Sequence, residues 1–157
     1  MTAVPTLYDW AGGLPALQQL TERFYQLVLE DPLLQPVFAA MPADHPQHVA
    51  AFLAEVLGGP PVYSGEHGGH RAMLTRHLDR VLTEEKRARW MQLLLRAADL
   101  VKLPDDPEFR SAFVAYVEWG SRLAVINSQP GVAPQLDQPM PRWGWGVPGG
   151  PYRPEGG

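Results

Sequence analysis

Cysteine is absent from the chain, which excludes a disulfide scaffold, thiol catalysis and every cysteine-ligated zinc or iron–sulfur centre. Positive charge is also scarce: 13 Lys and Arg stand against 17 Asp and Glu, a formal net charge of −4 with His neutral. That balance leaves no electrostatic footprint for nucleic acid or for an anionic membrane surface. No apolar run approaches the length of a bilayer span, and the opening Met1–Trp10 stretch lacks the basic start and long apolar core of a signal peptide. Charged residues make up 19% of the chain and hydrophobic ones 45%, enough apolar side chain to bury a real core. With 157 residues, the expectation is one soluble cytoplasmic domain carrying at most a short appendage.

Proline and glycine are plentiful, and their placement divides the chain. Gln129 to Gly157 holds seven Pro and seven Gly, including Pro148-Gly149-Gly150-Pro151, a composition that sustains neither helix nor strand. Residues 1–128 are therefore expected to form the domain and residues 129–157 a loosely ordered tail. Trp143, Trp145 and Tyr152 are the points at which part of the tail would dock.

Within residues 1–128 the apolar pattern is helical. Leu17, Leu20, Phe24, Leu27 and Val28 predict an amphipathic helix from about Leu14 to Glu30. Asp31-Pro32 offers a cap and a first-turn proline for a short helix running to Phe38. Val49, Phe52, Leu53, Val56 and Leu57 form a regular stripe, with Asp44 as its cap and Gly58-Gly59-Pro60-Pro61 as its stop. Gly65 to Gly69 reads as loop, and Met73, Leu74, His77, Leu78 and Val81 make a shorter stripe. Thr83 with Glu84 and Glu85 opens the next helix, whose inner face is Trp90, Leu94, Ala97, Ala98 and Val101. Asp106-Pro107 opens a last helix with Phe109, Phe113, Tyr116, Val117, Gly120 and Ala124 inward. No segment alternates with period two, so the fold class is all-α, with four substantial helices and shorter connectors.

His77 sits on an apolar stripe where a plain bundle would carry Leu. A core histidine with a satisfied hydrogen bond is the commoner reason for such a residue. The inner faces also gather Phe24, Tyr25, Phe38, Phe52, Met73 and Trp90, and a flat apolar cofactor held by one histidine, as haem iron is, would use these residue types.

An ordered set of features makes the pattern recognisable. Gly12-Gly13, Arg23-Phe24-Tyr25, Asp31-Pro32 and Phe38 are followed by the Phe52-Leu53 helix closing on Gly58-Gly59-Pro60. Tyr63-Ser64, Arg76-His77 and Trp90, 13 residues after His77, complete it. Over roughly Leu7 to Asn127 the chain resembles the group II truncated haemoglobins, short globins with a two-over-two helical fold around a haem. The resemblance implies haem b as cofactor, with His77 as the metal ligand and Tyr25 and Trp90 as donors toward an iron-bound ligand. It also implies Phe38, Phe52, Leu53, Met73 and Trp90 against the haem, Val49 on the ligand side, and Tyr63 and Arg76 at the propionates. His45 falls at the distal gate, where this group often carries a small residue. It would hydrogen-bond the ligand, coordinate iron as a sixth ligand, or swing to solvent as a gate.

The implied function is binding of dioxygen, with nitric oxide and carbon monoxide as further diatomic ligands, as in oxygen transport. The alternative is an enzyme on the same scaffold, a nitric oxide dioxygenase or peroxidase drawing on an external reductase. A third reading gathers His67, His70 and His77 around a divalent ion, which Gly68-Gly69 between the first two makes less apt. No nucleic acid or membrane partner is expected, and the chain would be a monomer or weak homodimer.

Overall fold

The computed structural model describes residues 3–66, 81–131 and 139–146. Among these, every regular element is a helix. The short α1 (Leu7–Ala11) begins where the Thr6 hydroxyl accepts from the Asp9 amide. It stops at Gly12, whose φ of 108° lies in the left-handed region that glycine enters freely. An added Cβ there would also sit only 3.0 Å from Ala16. The chain turns at once into α2 (Gly13–Glu30), which buries Leu17, Leu20, Phe24 and Val28 completely.

Asp31 ends α2 and organises the turn beyond it. Its carboxylate accepts from the Leu33 and Leu34 amides at 3.1 and 3.0 Å and pairs with Arg89 at 2.5 Å. Burial alone would raise the Asp31 pKa. The Arg89 hydrogen bond and charge, with the two amides, outweigh it and hold the carboxyl below its ordinary range. The turn runs into α3 (Gln35–Phe38), and α4 (His45–Val56) comes next with Pro46 in its first turn. Asp44 is the residue before α4, as expected, but its side chain makes no capping bond. It pairs instead with His48 Nε2 at 3.3 Å.

After α4 the chain passes Gly58 and Gly59. A Cβ on Gly59 would come within 2.7 Å of the Ala54 carbonyl and 2.8 Å of the Tyr8 ring, so only glycine lets α1 pack on this corner. The sequence pattern puts Gly65 in a loop, yet α5 (Val62–Glu66) contains it. The cause is tertiary: the Glu55 carboxylate, 1% exposed, accepts from the Ser64 amide at 2.8 Å and from its hydroxyl at 2.5 Å. It thereby serves as the cap that the local sequence lacks.

Val81, expected at the end of an apolar stripe, is exposed and has a φ of 50°, strained for a β-branched residue. Its amide donates to the Ser128 carbonyl at 2.8 Å, and the Leu82 amide donates to the Ser128 hydroxyl at 2.9 Å. α6 (Glu84–Leu100) is capped by Thr83, and α7 (Pro107–Asn127) by Asp106. Arg87, held within α6 by Glu84, ties the two together through Glu118 and Ser121. α2 packs against α4 and α6, and α6 against α7, giving two pairs of helices with α2 at their centre.

Within the stretch expected as tail, residues 139–146 lie against the helices. The Trp143 amide donates to the Val56 carbonyl at 2.8 Å, and the Trp145 indole N–H donates to the Pro5 carbonyl at 2.8 Å. Met140, Trp143 and Trp145 are half-buried against the core.

Candidate functional site

A cavity of about 500 Å³ opens between the two helix pairs. α2 contributes Thr21, Phe24 and Tyr25 to it, because the α2 stripe turns these residues toward both α4 and α6. Phe38 and Met41 close one side, and α4 presents His45, Val49, Phe52 and Leu53. Trp90 and Leu94 come from α6, and Tyr116, Val117 and Trp119 from α7.

The aromatic rings interlock edge to face. Phe24 meets Tyr25 at 4.8 Å and Trp90 at 5.4 Å between centroids, and Tyr25 meets Phe38 at 5.6 Å. Such geometry places the positive ring edge against the negative face and fixes side-chain orientation as well as burial. The Tyr25 hydroxyl lies 3.0 Å from His45 Nε2, and the two rings are 5.0 Å apart. Burial raises the Tyr25 pKa above its ordinary value of 10, so this residue remains a phenol and keeps its proton to donate.

The residues singled out from the sequence fall into three sets. Tyr25, Phe38, His45, Val49, Phe52, Leu53 and Trp90 all line this one cavity. Tyr63 does not line it: fully buried, it stands one layer behind, edge-on to Phe52 at 5.1 Å. Met73, Arg76 and His77 lie outside the described residues, as do His67 and His70. Among the described residues no group of His, Cys, Asp and Glu could hold a metal ion.

Sequence reasoning misses Lys86, Tyr116 and Trp119 as lining residues. Lys86 stands one turn before Trp90, a spacing that puts both on one helix face. Tyr116 reads from the sequence only as core; its hydroxyl is buried, which raises its pKa above the ordinary tyrosine value.

The family described as bacterial-like globin matches residues 6–118, which take in the cavity-lining parts of α2, α4 and α6 and the first half of α7. Among curated proteins, the chain is 37% identical over 119 residues to the group 2 truncated hemoglobin YjbI of Bacillus subtilis (strain 168). That match covers 76% of this chain and 88% of the relative. This chain is a group II truncated haemoglobin.

Solved structures agree with that assignment. The truncated oxygen-avid haemoglobin from Bacillus subtilis superposes with a TM-score of 0.69 at 32% identity, over 77% of this chain and 99% of that one. The thermostable haemoglobin from Thermobifida fusca gives 0.68 at 28% identity, over 77% and 97%. The two pairs of helices are thus the two-over-two globin arrangement, and membership of the globin family brings haem-based ligand binding with it. The cavity fits such a group. Its volume lies within the range of small-molecule sites, its walls are mainly apolar and aromatic, and its polar groups are few and convergent. Among the described residues, no helix of this truncated haemoglobin is long and apolar enough to cross a membrane.

Proposed function

We propose that the chain binds dioxygen, and also nitric oxide and carbon monoxide, at a haem b whose iron is held by His77. The observation that carries this reading is the Tyr25–His45 pair, a phenol and an imidazole 3.0 Å apart, set in an aromatic cavity with Trp90. When bound, haem supplies an iron with an open position for a diatomic ligand.

The chain's own residues supply the rest. Phe38, Phe52, Leu53 and Met73 exclude water from the haem faces, and Val49 lines the ligand side. Arg76 is proposed for a propionate, with Lys86 at the cavity wall as a further cation, whereas Tyr63, fully buried one layer behind, backs Phe52 instead. Tyr25 and Trp90 donate O–H and N–H to a ligand that gathers negative charge. The Tyr25 hydroxyl and His45 Nε2 share one hydrogen bond whose direction follows the imidazole tautomer; with Nε2 unprotonated, the Tyr25 O–H donates to it and a ligand must compete for that same proton. With Tyr25 and Trp90 already on the ligand side, His45 is proposed as the gate or as a hydrogen-bond partner of the ligand rather than as a sixth iron ligand. The oxygen avidity of the Bacillus subtilis haemoglobin supports this reading. The same donors assist O–O cleavage, so a nitric oxide dioxygenase or peroxidase fed by an external reductase is the second reading. A monomer or weak homodimer in the cytoplasm completes the proposal.

The test is the visible spectrum of the haem-supplemented, dithionite-reduced protein with and without carbon monoxide, beside His77→Gly. The expected result is a haem–carbonyl spectrum in the parent and its loss or alteration in the variant. Absence of stoichiometric haem uptake overturns the proposal.

A further inference from the structure

Tyr116, Trp119 and Trp143 form a closed triangle of rings. Centroids are 5.4 Å apart for Tyr116–Trp143, 5.7 Å for Trp119–Trp143 and 6.2 Å for Tyr116–Trp119. The triangle spans the boundary between cavity and solvent. Tyr116 is 6% exposed and lines the cavity, Trp143 is half-buried on the segment of residues 139–146, and Trp119 is 42% exposed. The three rings are in mutual contact, with the outermost partly in solvent. Tryptophan and tyrosine are also the two aromatic side chains most easily oxidised by one electron, and rings in contact pass an electron by short steps.

We propose that this triangle is a surface oxidation site: it conducts single electrons from reductants too bulky for the cavity, through Trp119 and Tyr116, to an oxidant reduced inside. The inference rests on the haem reading above. The oxidant is hydrogen peroxide and the reductant class is one-electron aromatic donors. Peroxide takes up two electrons and two protons, its O–O bond breaks, and two waters leave. Two donor molecules each give one electron at the exposed Trp119 edge and release one proton to solvent, ending as one-electron-oxidised products. The cavity takes up two protons from solvent, so charge balances. The Tyr116 hydroxyl is buried beside Gly120, where a Cβ would lie 3.4 Å from it. Tyr116 is only 6% exposed, so it serves as a transit point, and the tryptophans are where the electron deficit comes to rest.

The test uses the full chain loaded with ferric haem and treated with hydrogen peroxide. Freeze-quenched paramagnetic resonance and a nitroso spin trap, followed by peptide mass mapping, are read in the parent, Trp119→Phe, Trp143→Phe and Trp10→Phe. The relay predicts a tryptophan radical and a trap adduct on the Trp119 peptide, both lost in Trp119→Phe. Oxidation of a bulky sulfonated aromatic dye falls about tenfold in that variant relative to oxidation of a small donor that enters the cavity. Trp143→Phe lowers the dye rate less, because Tyr116 also meets Trp119 directly, and Trp10→Phe leaves it unaltered. A normal carbonyl spectrum with no adduct at Tyr116, Trp119 or Trp143, or an undiminished dye rate in Trp119→Phe, overturns the relay alone. Failure to take up haem overturns the haem reading and the relay together.

Discussion

Two regions of the molecule hold their aromatic residues in different ways. On the α2–α4 side, the Tyr25 hydroxyl is partnered by another side chain, His45. Away from the cavity, the residue 139–146 segment is anchored to main-chain carbonyls, the Trp143 amide to Val56 and the Trp145 indole to Pro5. A side-chain partner leaves by changing rotamer, whereas a carbonyl at a helix end stays where it is. The first arrangement suits a donor that has to be surrendered to a ligand, and the second suits a segment that has only to stay in place.

The largest expected effect tests the aromatic frame of the α2–α4 side. Phe24 is fully buried between Tyr25 and Trp90, so Phe24→Ala should cost about 3–5 kcal/mol in a urea titration. Deleting residues 130–157 removes Trp143 and Trp145, half-buried against the core outside the cavity. It should lower stability by about 1–3 kcal/mol yet preserve the haem–carbonyl spectrum. Loss of that spectrum would show that the segment belongs to the haem site itself.

Next come the two partners of the movable bond. Tyr25→Phe removes a donor and should speed dioxygen release about tenfold in stopped flow. His45→Leu frees the Tyr25 proton for the ligand and should slow release about fivefold. Faster release in His45→Leu would mean that the histidine supports the tyrosine instead of competing with it.

The smallest effect concerns Asp31. Its folded-state pKa is held below the ordinary carboxylate value, so its contribution is fully present above the unfolded pKa and fades as pH falls through the folded one. Asp31→Asn should therefore be less stable than the parent at neutral pH, with the gap closing below about pH 4 in a series of thermal melts.

The same contrast separates what the sequence announces from what it hides. α2, α4, α6 and α7 are legible because Leu17, Leu20, Phe24 and Val28, and their counterparts on the other helices, repeat at helical spacing over several turns. Thr83 and Asp106 mark two starts that the structure keeps. α1 escapes because five residues are too few to display a period. α5 is hidden because its cap, Glu55, comes from another helix. The seating of residues 139–146 is illegible because Pro and Gly carry no periodic signal, and its bonds reach Val56 and Pro5 across most of the chain. In the site, the ordered motifs lead to Tyr25, His45 and Trp90, while Lys86, Tyr116 and Trp119 emerge only from the cavity itself.

The bond from Trp145 to the Pro5 carbonyl joins points 140 residues apart in the chain. Between them the polypeptide forms a nearly closed ring. Closing so long a loop costs entropy that is recovered only once the helices inside it have packed. That bond is accordingly late to form and early to open, so a partly unfolded molecule would release both ends of the ring before its helical core gives way. The chain thus carries its own marker of completed folding, with an indole beside a carbonyl reporting whether first and last segments have met.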